Sequence, residues 1–314
     1  MEHILKEHIE AFDTIIIHRH SSPDYDALGS QIGLRALIQE NYPTKKVFVV
    51  GDENLLTALG SMDVVEDAWF EDALSIIVDV ASEARTSDTR FNQARKRLII
   101  DHHQNPSTLE GVFIHDPTSI AAAQMIARMA MKLHWRFNKE AAKALLMGII
   151  TDSGRFKYPG VNDETFHIAS YLMGYIDSLQ ALYQAIYQEP FNHKKLKGDA
   201  LVRMKITASG IAYLKNTTAV KERFNVDEFT VSRGLVNVMA ECQEAPVWVN
   251  FTETDAGKVL VELRANTLPV VEVARQFGGG GHTLACGCTL NDWSEIQDVF
   301  NAIEALQRKE ATHE

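Results

Sequence analysis

The sequence predicts an α/β fold with two domains: an N-terminal parallel sheet flanked by helices and a smaller C-terminal α+β domain, with a cleft between them. Two observations lead to this prediction. In the first half of the chain, short continuous apolar runs alternate with helical patterns, which is typical of strands buried on both faces of a parallel sheet. The chain has 314 residues, about twice the size of a typical single domain, so two separate cores are expected.

Four apolar runs predict the strands of the N-terminal domain. They are DTIIIH at 13–18, KKVFVV at 45–50, LSIIVDV at 74–80 and KRLIID at 96–101. Between the first two, residues 26–40 place apolar side chains on one stripe at helical spacing, and further helices are expected at 119–134 and 138–152. A sheet of this kind binds its ligands at the carboxyl ends of the strands.

The composition changes near 187–200, where we place the domain boundary. The first domain is expected at 1–186, a linker at 187–195 and the second domain at 196–314. In the second domain, TDAG at 254–257 stands between two strand-like runs and predicts a hairpin turn. Cys286 and Cys288 are expected on one face of a strand rather than in a metal site, because no second cysteine pair accompanies them.

Charge and composition exclude several classes of function. The chain has 31 Lys and Arg against 42 Asp and Glu, a formal net charge of −11, so it is a poor candidate for coating long duplexes or membranes. The apolar runs are far shorter than the ~20 residues of a spanning helix, and the N-terminus lacks the pattern of a signal peptide. Three cysteines imply no disulfide framework, which favours a cytoplasmic protein.

Potential metal ligands follow several of the predicted strands and one helix. Each has an ordinary alternative: Asp26 suits a helix N-cap, Asp24 a turn, and a lone histidine a packed core position. Three polar residues directly after a buried LII run have little structural reason to occur together, so the whole set favours a functional site. Because these elements end at one edge of a parallel sheet, we expect the following side chains to converge: His20, Asp24, Asp26, Asp79, Asp101, His102, His103 and Asp152.

The ligand types favour a pair of hard divalent ions. Carboxylates with two imidazoles form an oxygen-rich set that suits Mn²⁺, with Mg²⁺ or Co²⁺ as alternatives, better than a thiol-preferring zinc site. The four aspartates at 24, 26, 79 and 152 contribute a charge of −4, which two divalent ions cancel. Two ions ~3.5–4 Å apart acidify a bridging water into a nucleophile and hold the phosphoryl oxygens of a substrate.

Four segments together resemble the motifs of the DHH phosphoesterase superfamily: HSSPDYDALGS at 20–30, VDVASEAR at 78–85, DHH at 101–103 and GIITDSGRF at 148–156. The segment FGGGGHTLACG at 277–287, preceded by VELRA at 261–265, resembles the DHH-associated domain. Length and domain plan are closest to the NrnA-like branch. That branch includes oligoribonucleases (nanoRNases), adenosine 3′,5′-bisphosphate (pAp) phosphatases and phosphodiesterases of linear or cyclic di-AMP.

The resemblance implies a role for each ligand. One metal ion is expected on His20, Asp24 and Asp79, and the second on Asp26, Asp79, His102 and Asp152, with Asp79 bridging. His103 is expected to face the scissile phosphate, and Asp101 to orient the histidines. His18 shares a face with His20 if the strand continues, but the spacing of His20 to the aspartates matches the family pattern.

Other residues are expected to hold the substrate. Arg155 follows Asp152 by three residues, although an arginine at a helix end is also common on surfaces. By resemblance, Arg264 and His282 contact the terminal phosphate or the base. The glycines Gly279, Gly280 and Gly281 allow backbone N–H groups to approach a ligand, while a glycine run alone is more often a flexible loop.

These observations and the resemblance imply a manganese-dependent phosphoesterase acting on short oligoribonucleotides (nanoRNA), linear dinucleotides such as pApA, or pAp. A homodimer is expected by resemblance. The alternatives are a cyclic di-AMP phosphodiesterase, an inorganic pyrophosphatase, a single-strand DNA exonuclease and a non-catalytic nucleotide sensor. The glycine-rich segment disfavours pyrophosphatase because it suits a nucleotide better, and a sensor is expected to lack at least one ligand.

Overall fold

The computed structural model describes residues 1–53, 56–80, 82–104 and 108–312, which divide into two compact units, Met1–Gln188 and Glu189–Glu314. Each unit has its own hydrophobic core. The division falls inside the segment expected to be a linker, and residues 191–195 of that segment lie in a helix, Phe191–Arg203. Among the described residues, no helix combines the length and apolarity needed to cross a bilayer.

The first unit is built on a parallel sheet that has five strands in the described part of the chain. They are β1 Thr14–His18, β2 Lys46–Val49, β3 Leu74–Val78, β4 Lys96–Asp101 and β5 Val112–His115, in the spatial order β2–β1–β3–β4–β5. The four predicted runs form β1 to β4. Strand β3 is buried along its whole length because α-helices cover one face of the sheet, and the segments that carry Phe70 and Phe91 cover the other. The sequence does not predict the edge strand β5 (VFIH), because its run of apolar residues is only three residues long. Since every strand runs the same way, their carboxyl ends meet at one edge.

Six α-helices within the described ranges pack on one face of this sheet. They are α1 Glu2–Ala11, α2 Tyr25–Asn41, α3 Ala122–Lys132, α4 Lys139–Asp152, α5 Asp163–Met173 and α6 Leu179–Tyr187. The predicted helices correspond to α2, α3 and α4. Helix α2 is more buried than its single apolar stripe indicates, because it packs against β1 to β3 and also along α4.

Two glycines permit the close approach of α2 and α4. A Cβ atom on Gly29 in α2 would lie 2.4 Å from the carbonyl oxygen of Ala144 in α4. A Cβ atom on Gly148 in α4 would lie 2.9 Å from Oδ1 of Asp26 in α2. Both distances are shorter than any normal contact, so the side chain of Asp26 reaches its position only because residue 148 is glycine.

The second unit contains a mixed sheet of six strands within the described residues. Its elements are α7 Phe191–Arg203, β6 Lys205–Ile206, β7 Ile211–Asn216, α8 Thr218–Phe224, α9 Glu228–Val236, β8 Val247–Glu253, β9 Val259–Ala265, α10 Val271–Gln276, β10 Gly280–His282, β11 Ala285–Leu290 and α11 Ile296–Ala311. The spatial order is β10–β11–β9–β8–β7–β6, with β7 and β8 parallel and the other pairs antiparallel. The parallel sheet of the first unit and this α+β unit confirm the predicted fold class.

Two local predictions for the second unit are confirmed. The TDAG segment makes the turn between β8 and β9, where the Thr254 N–H donates to the Lys258 carbonyl at 2.8 Å and Gly257 has a φ of +76°. Cys286 and Cys288 lie on one face of β11 and are buried in the core that α10 and α11 cover. The opposite face of the sheet is covered over β8 by α9.

We predict that Gly29→Ala destabilises the first unit by about 1–3 kcal/mol, because the added methyl group meets a backbone oxygen that cannot rotate away. Gly198→Ala is the control: this glycine lies in α7 with open space around it, and alanine is expected to stabilise the second unit by about 0.5–1 kcal/mol. Calorimetric unfolding of each variant measures both changes. An unfolding midpoint for Gly29→Ala at or above that of the wild type would contradict the proposed close packing.

Candidate metal centre

Two histidines near the end of β1 have different environments. His18 is fully buried, its Nε2 lies 3.1 Å from the Ser75 hydroxyl, and its ring contacts Phe70 and Phe91. Burial lowers the pKa of His18 to about 4, so this ring is a neutral core residue. His20 lies beyond the strand with Nε2 facing carboxylates, as preferred from its spacing.

Asp24 and Asp26 have different structural roles. The N-cap of α2 is Asp24, whose Oδ1 accepts from the N–H groups of Asp26 and Ala27 at 2.9 and 3.0 Å. Asp26 accepts from the first N–H groups of α3, those of Ala122 at 2.8 Å and Ala123 at 2.9 Å. Helix α3 has no capping side chain of its own, so the carboxylate of another helix satisfies its first donors.

Asp79 stands directly after β3 in the left-handed backbone region, with a φ of +58°. Aspartate tolerates this region better than most residues, and the Asp79 N–H still donates to the Ile100 carbonyl at 2.9 Å. Its carboxylate is buried and its two oxygens face different imidazoles. Oδ2 lies 3.6 Å from Nε2 of His20, and Oδ1 lies 3.5 Å from Nε2 of His102.

The Asp-His-His triplet follows β4, and each ring is oriented by a second group. Nδ1 of His102 donates to the Ser119 carbonyl at 3.1 Å, so Nε2 is the nitrogen that faces the carboxylates. Nδ1 of His103 lies 2.7 Å from Oδ1 of Asp101, and the His103 carbonyl accepts from Nε2 of His115 at 2.7 Å. Asp101 is therefore placed to orient His103.

The predicted ligands converge at the carboxyl edge of the sheet. Among the described residues, their potential ligand atoms form three overlapping groups within 4.8 Å: His20, Asp24 and Asp79; Asp26, His102 and Asp152; Asp79, His102 and His103. Asp79 belongs to the first and third groups, and His102 links the third to the second. The first group contains the three ligands expected for one ion, and the second contains three of the four expected for the other, while Asp79 shares the third group with His102 and His103.

The distances within these groups fit a metal ion better than hydrogen bonds. Nε2 of His102 lies 3.4 Å from Oδ2 of Asp152 and 3.8 Å from Oδ2 of Asp26, and Nε2 of His20 lies 3.9 Å from Oδ1 of Asp24. Two atoms bound to one ion at about 2.1 Å lie roughly 3–4 Å apart. In addition, the buried Oδ1 of Asp79 accepts no hydrogen bond among the described residues, which leaves an acceptor for a cation.

Arg155 lies on a constrained turn after α4. Gly154, Arg155 and Phe156 have φ values of +57°, +62° and +65°. A positive φ is uncommon for arginine and phenylalanine, because both have a Cβ atom. The Ser153 hydroxyl accepts from the Phe156 N–H at 2.9 Å, which helps to hold the turn. The Arg155 guanidinium is exposed and its central carbon lies 3.8 Å from the ring centre of Tyr187. The turn and the tyrosine together orient this arginine.

In the second unit, Arg264 and His282 share one face of the sheet. Ala285 is directly opposite both residues, so they lie two strands apart, about 10 Å between their Cα atoms. Arg264 donates from Nη1 to the carbonyls of Leu263 and Cys286, and its Nη2 lies 3.2 Å from Oε2 of Glu262. The face holds an oriented guanidinium and an exposed imidazole, with a small alanine between them.

Gly280 and Gly281 of the glycine run lie in a strand rather than in a flexible loop, because β10 pairs with β11. A Cβ atom on Gly279 would lie 2.2 Å from the Gly287 carbonyl oxygen, and the Gly279 N–H donates to the Ala274 carbonyl. Gly281 has a φ of +137°, and no atom lies within 4 Å of a Cβ built on Gly280. Close packing explains the glycine at 279, and backbone conformation explains the glycine at 281. The surface at Gly280 is open.

Comparison with known proteins agrees with this geometry. Residues 14–149 match the model of the DHH family, N-terminal domain, and residues 216–309 match the DHHA1 domain. The probable bifunctional oligoribonuclease and PAP phosphatase NrnA of Streptococcus mutans is 34% identical over 299 residues, 95% of this chain and 96% of that protein. The bifunctional oligoribonuclease and PAP phosphatase NrnA of Bacillus subtilis is 33% identical over 304 residues, again 95% and 96%.

The chain belongs to the DHH family. An exopolyphosphatase-related protein from Bacteroides fragilis shares the fold, with a TM-score of 0.86 at 24% identity over 98% of this chain and 95% of that chain. The family resemblance drawn from the four motifs is confirmed.

Burial and crowding perturb the carboxylates of this DHH-family centre. Burial, and then the charge of Asp79, raises the pKa of Asp26 to about 7. Burial and the neighbouring Asp26 raise the pKa of Asp152 well above its usual value. Burial alone would raise the pKa of Asp79 too, but His102 and His20 outweigh it and lower that pKa. The negative charge therefore concentrates on Asp79, between the two imidazoles.

The imidazoles respond in the opposite direction. Burial alone would lower the pKa of His20, but Asp79 and Asp24 outweigh it and raise the value to about 9. The same competition raises the pKa of His102 to about 11, since Asp79, Asp26 and Asp152 all face its ring. Without metal, both rings carry a proton at neutral pH and partly neutralise the carboxylates.

Three groups that shape the centre and the sheet face were not recognised in the sequence. Tyr187 lies 32 residues from Arg155, and Ser119 acts through its carbonyl, so neither leaves a sequence signal. Glu262 does leave one: it stands two residues before Arg264 in the strand VELRA, and alternate strand residues share a face.

We predict that loading the metal-free protein with Mn²⁺ near pH 7 releases at least two protons, from His20 and His102. Their pKa values of about 9 and about 11 lie above that pH, and a metal ion binds only the neutral ring. The apparent affinity for Mn²⁺ should accordingly increase as the pH rises from about 6 to 9. Calorimetric titration in two buffers of different ionisation enthalpy counts the protons, and binding without proton release would contradict the proposed ligands.

Proposed function

We propose that this chain is a metal-dependent phosphoesterase that hydrolyses short oligoribonucleotides, linear dinucleotides such as pApA, and pAp. The observation that carries the proposal is the convergence of acidic and histidine side chains at one sheet edge, with the two oxygens of Asp79 facing separate imidazoles. The names of the two NrnA relatives, which align with 95% of this chain, support the substrate class.

The proposed centre holds two divalent ions. One is held by His20, Asp24 and Asp79, and the other by Asp26, Asp79, His102 and Asp152. Mn²⁺ is the preferred ion, with Mg²⁺ or Co²⁺ as alternatives, because oxygen ligands predominate. When bound, such a pair supplies Lewis acidity, which acidifies water and neutralises phosphoryl oxygens.

His103 is the proposed donor to the scissile phosphate. Asp101 accepts from Nδ1, which fixes the ring and assigns Nε2 to the substrate. Burial alone would lower the pKa of His103, but the carboxylates of Asp101 and Asp79 outweigh it and raise the pKa. A raised pKa favours the charged form of the ring, which donates more strongly to an anionic phosphoryl oxygen. Asp101 therefore acts through His103, and does not need to contact the substrate.

Arg155 is the proposed contact to a second phosphate or to a base. Its position three residues after Asp152 brings it to the end of the helix that carries this ligand. The stack on Tyr187 restricts the guanidinium before substrate arrives, so less conformational entropy is lost on binding. The remaining face of a stacked guanidinium can receive a nucleobase.

The second unit is proposed to bind the substrate end. Arg264 and His282 offer cationic and hydrogen-bonding groups on one face, while Gly280 and Gly281 allow close approach of the backbone. Gly279 contributes by packing closely against β11. The side chains of Arg264 and His282 match the few phosphates of a mononucleotide or a short oligomer. The net charge of −11 disfavours binding of long duplexes.

Location and assembly are part of the same proposal. The three cysteines are free thiols in the structure, which supports a reducing cytoplasmic location. The homodimer expected by resemblance stays a prediction, which light scattering of the purified chain tests.

A substrate panel tests the activity. Product time courses should show hydrolysis of pAp, pApA and short oligoribonucleotides in Mn²⁺, and none in chelator. If pyrophosphate, cyclic di-AMP or long single strands were turned over faster than these three substrates, the faster substrate would replace the proposed substrate class. Tight nucleotide binding without turnover would make the chain a sensor.

We predict that Asp79→Asn lowers kcat/KM at least about 100-fold and weakens Mn²⁺ binding, because it removes the charge shared by both ligand sets. Asparagine tolerates the left-handed backbone of residue 79, so the fold should persist. Asp177→Asn, at an exposed aspartate paired with Lys139, is the control and should match the wild type. Near-normal turnover by Asp79→Asn would refute the two-ion centre.

We predict that Arg264→Ala raises KM about 10- to 100-fold and changes kcat little, because it removes a charged donor to the substrate end. Arg308→Ala removes an exposed arginine from α11 and serves as the matched control. Steady-state kinetics on pAp separate the two parameters. A selective loss of kcat would instead place Arg264 at the reacting phosphate.

A further inference from the structure

One short segment, residues 116–123, contacts two of the side chains assigned to the second metal ion. Its Ser119 carbonyl accepts from Nδ1 of His102 at 3.1 Å. Its Ala122 and Ala123 N–H groups donate to the two oxygens of Asp26 at 2.8 and 2.9 Å. The segment therefore sets the rotation of the imidazole and the plane of the carboxylate at the same time. We call it the buttress segment.

Asp116 organises the buttress segment through its carboxylate. Oδ1 accepts from the Thr118 N–H at 3.1 Å and from the Thr118 hydroxyl at 2.6 Å, and Oδ2 accepts from the Ser119 hydroxyl at 2.9 Å. The Asp116 N–H donates to the carbonyl of Asp101 at 3.2 Å, which joins the segment to the end of β4. This turn leaves the Ser119 carbonyl directed at His102.

Arg128 on α3 holds Asp116 in place. Its Nη2 donates to Oδ2 of Asp116 at 2.6 Å, and its Nη1 donates to Glu164 on α5 at 3.1 Å. The side chains of Arg128 and Asp116 are only 14% and 12% exposed, so solvent screens their attraction weakly. Burial alone would raise the pKa of Asp116, but hydrogen bonds from Thr118 and Arg128 outweigh it and hold this pKa well below its usual range.

We propose that Asp116 and Arg128 are positioning residues for the second metal ion, acting through the buttress segment on His102 and Asp26. The inference rests on the proposed function, because that ion is part of the proposal. Asp116 belongs to none of the potential ligand groups found among the described residues. The role of Asp116 and Arg128 is to restrict two ligands before the ion arrives, and such supporting contacts typically contribute about 10- to 100-fold to metal affinity.

The proposal predicts an asymmetric effect on the two ions. His20 and Asp24 are held by other contacts: Nδ1 of His20 lies 2.8 Å from the Ser21 carbonyl, and Asp24 caps α2. Loosening the buttress segment should therefore weaken the second ion and leave the first almost unchanged. A general loss of stability would weaken both ions together, so the asymmetry separates positioning from a merely structural role.

The test titrates the metal-free full chain with Mn²⁺ and follows unbound Mn²⁺ by its electron paramagnetic resonance signal. The wild type should bind two ions. Arg128→Met should keep one ion within about threefold of wild-type affinity and weaken the other about 10- to 100-fold. Arg128→Lys, which keeps a charge for Asp116, should recover most of the loss. Should Arg128→Met fail to fold, Asp116→Asn replaces it with the same expectation.

Arg35→Met is the matched control. Arg35 is 18% exposed in the same unit and is paired with Asp63 and Glu140, neither of which belongs to the buttress segment. This variant should bind two ions as the wild type does. Wild-type affinities for both ions in Arg128→Met, or equal weakening of both, would overturn the inference and leave the proposed function standing. A wild type that binds fewer than two ions would overturn the proposed function and the inference with it.

Discussion

Mutual repulsion among buried carboxylates is the constraint on which this centre depends. Asp26 and Asp79 are almost completely buried. Asp24 lies near the imidazole of His20, and Asp152 lies near that of His102. Charges so close together and removed from water must be compensated by protons or by cations. Without metal, protonated His20 and His102 and the raised pKa values of Asp26 and Asp152 supply the protons. Divalent cations bound by these groups would replace those protons with a fixed charge, which is the electrostatic basis for the proposed chemistry.

Some carboxylates serve both the fold and the proposed metal centre. Asp24 is both the N-cap of α2 and a proposed ligand, and Asp26 satisfies the first donors of α3. Gly148 leaves the space that the Asp26 carboxylate occupies. Because helix ends need acceptors and metal ions need oxygens, the same carboxylates meet both requirements. Damage to a ligand should therefore also affect local structure, and variants that preserve shape are the informative ones.

Much of the architecture and of the ligand set could be read in the sequence, because both leave local patterns. Continuous apolar runs identify the strands β1 to β4, and polar residues at their carboxyl ends identify one sheet edge. Short elements such as β5 lack such a pattern. The alternative that Asp26 caps α2 is wrong, since Asp24 occupies that position and Asp26 faces another helix. Two aspartates separated by one residue are equally good caps in sequence, and only the path of the preceding loop decides between them.

The sequence alone determined the DHH-family motifs, the oxygen-rich set of proposed ligands and the two-unit plan, because residue type and spacing carry that information. Tertiary structure decided which groups act on those ligands. His18 became a neutral core residue and His20 an imidazole that is protonated without metal, because the rings of Phe70 and Phe91 contact the first and carboxylates face the second. The partners of Arg155, Arg264 and His102 were likewise decided by packing. A contact between distant segments depends on how elements pack in space, and a linear pattern does not record it.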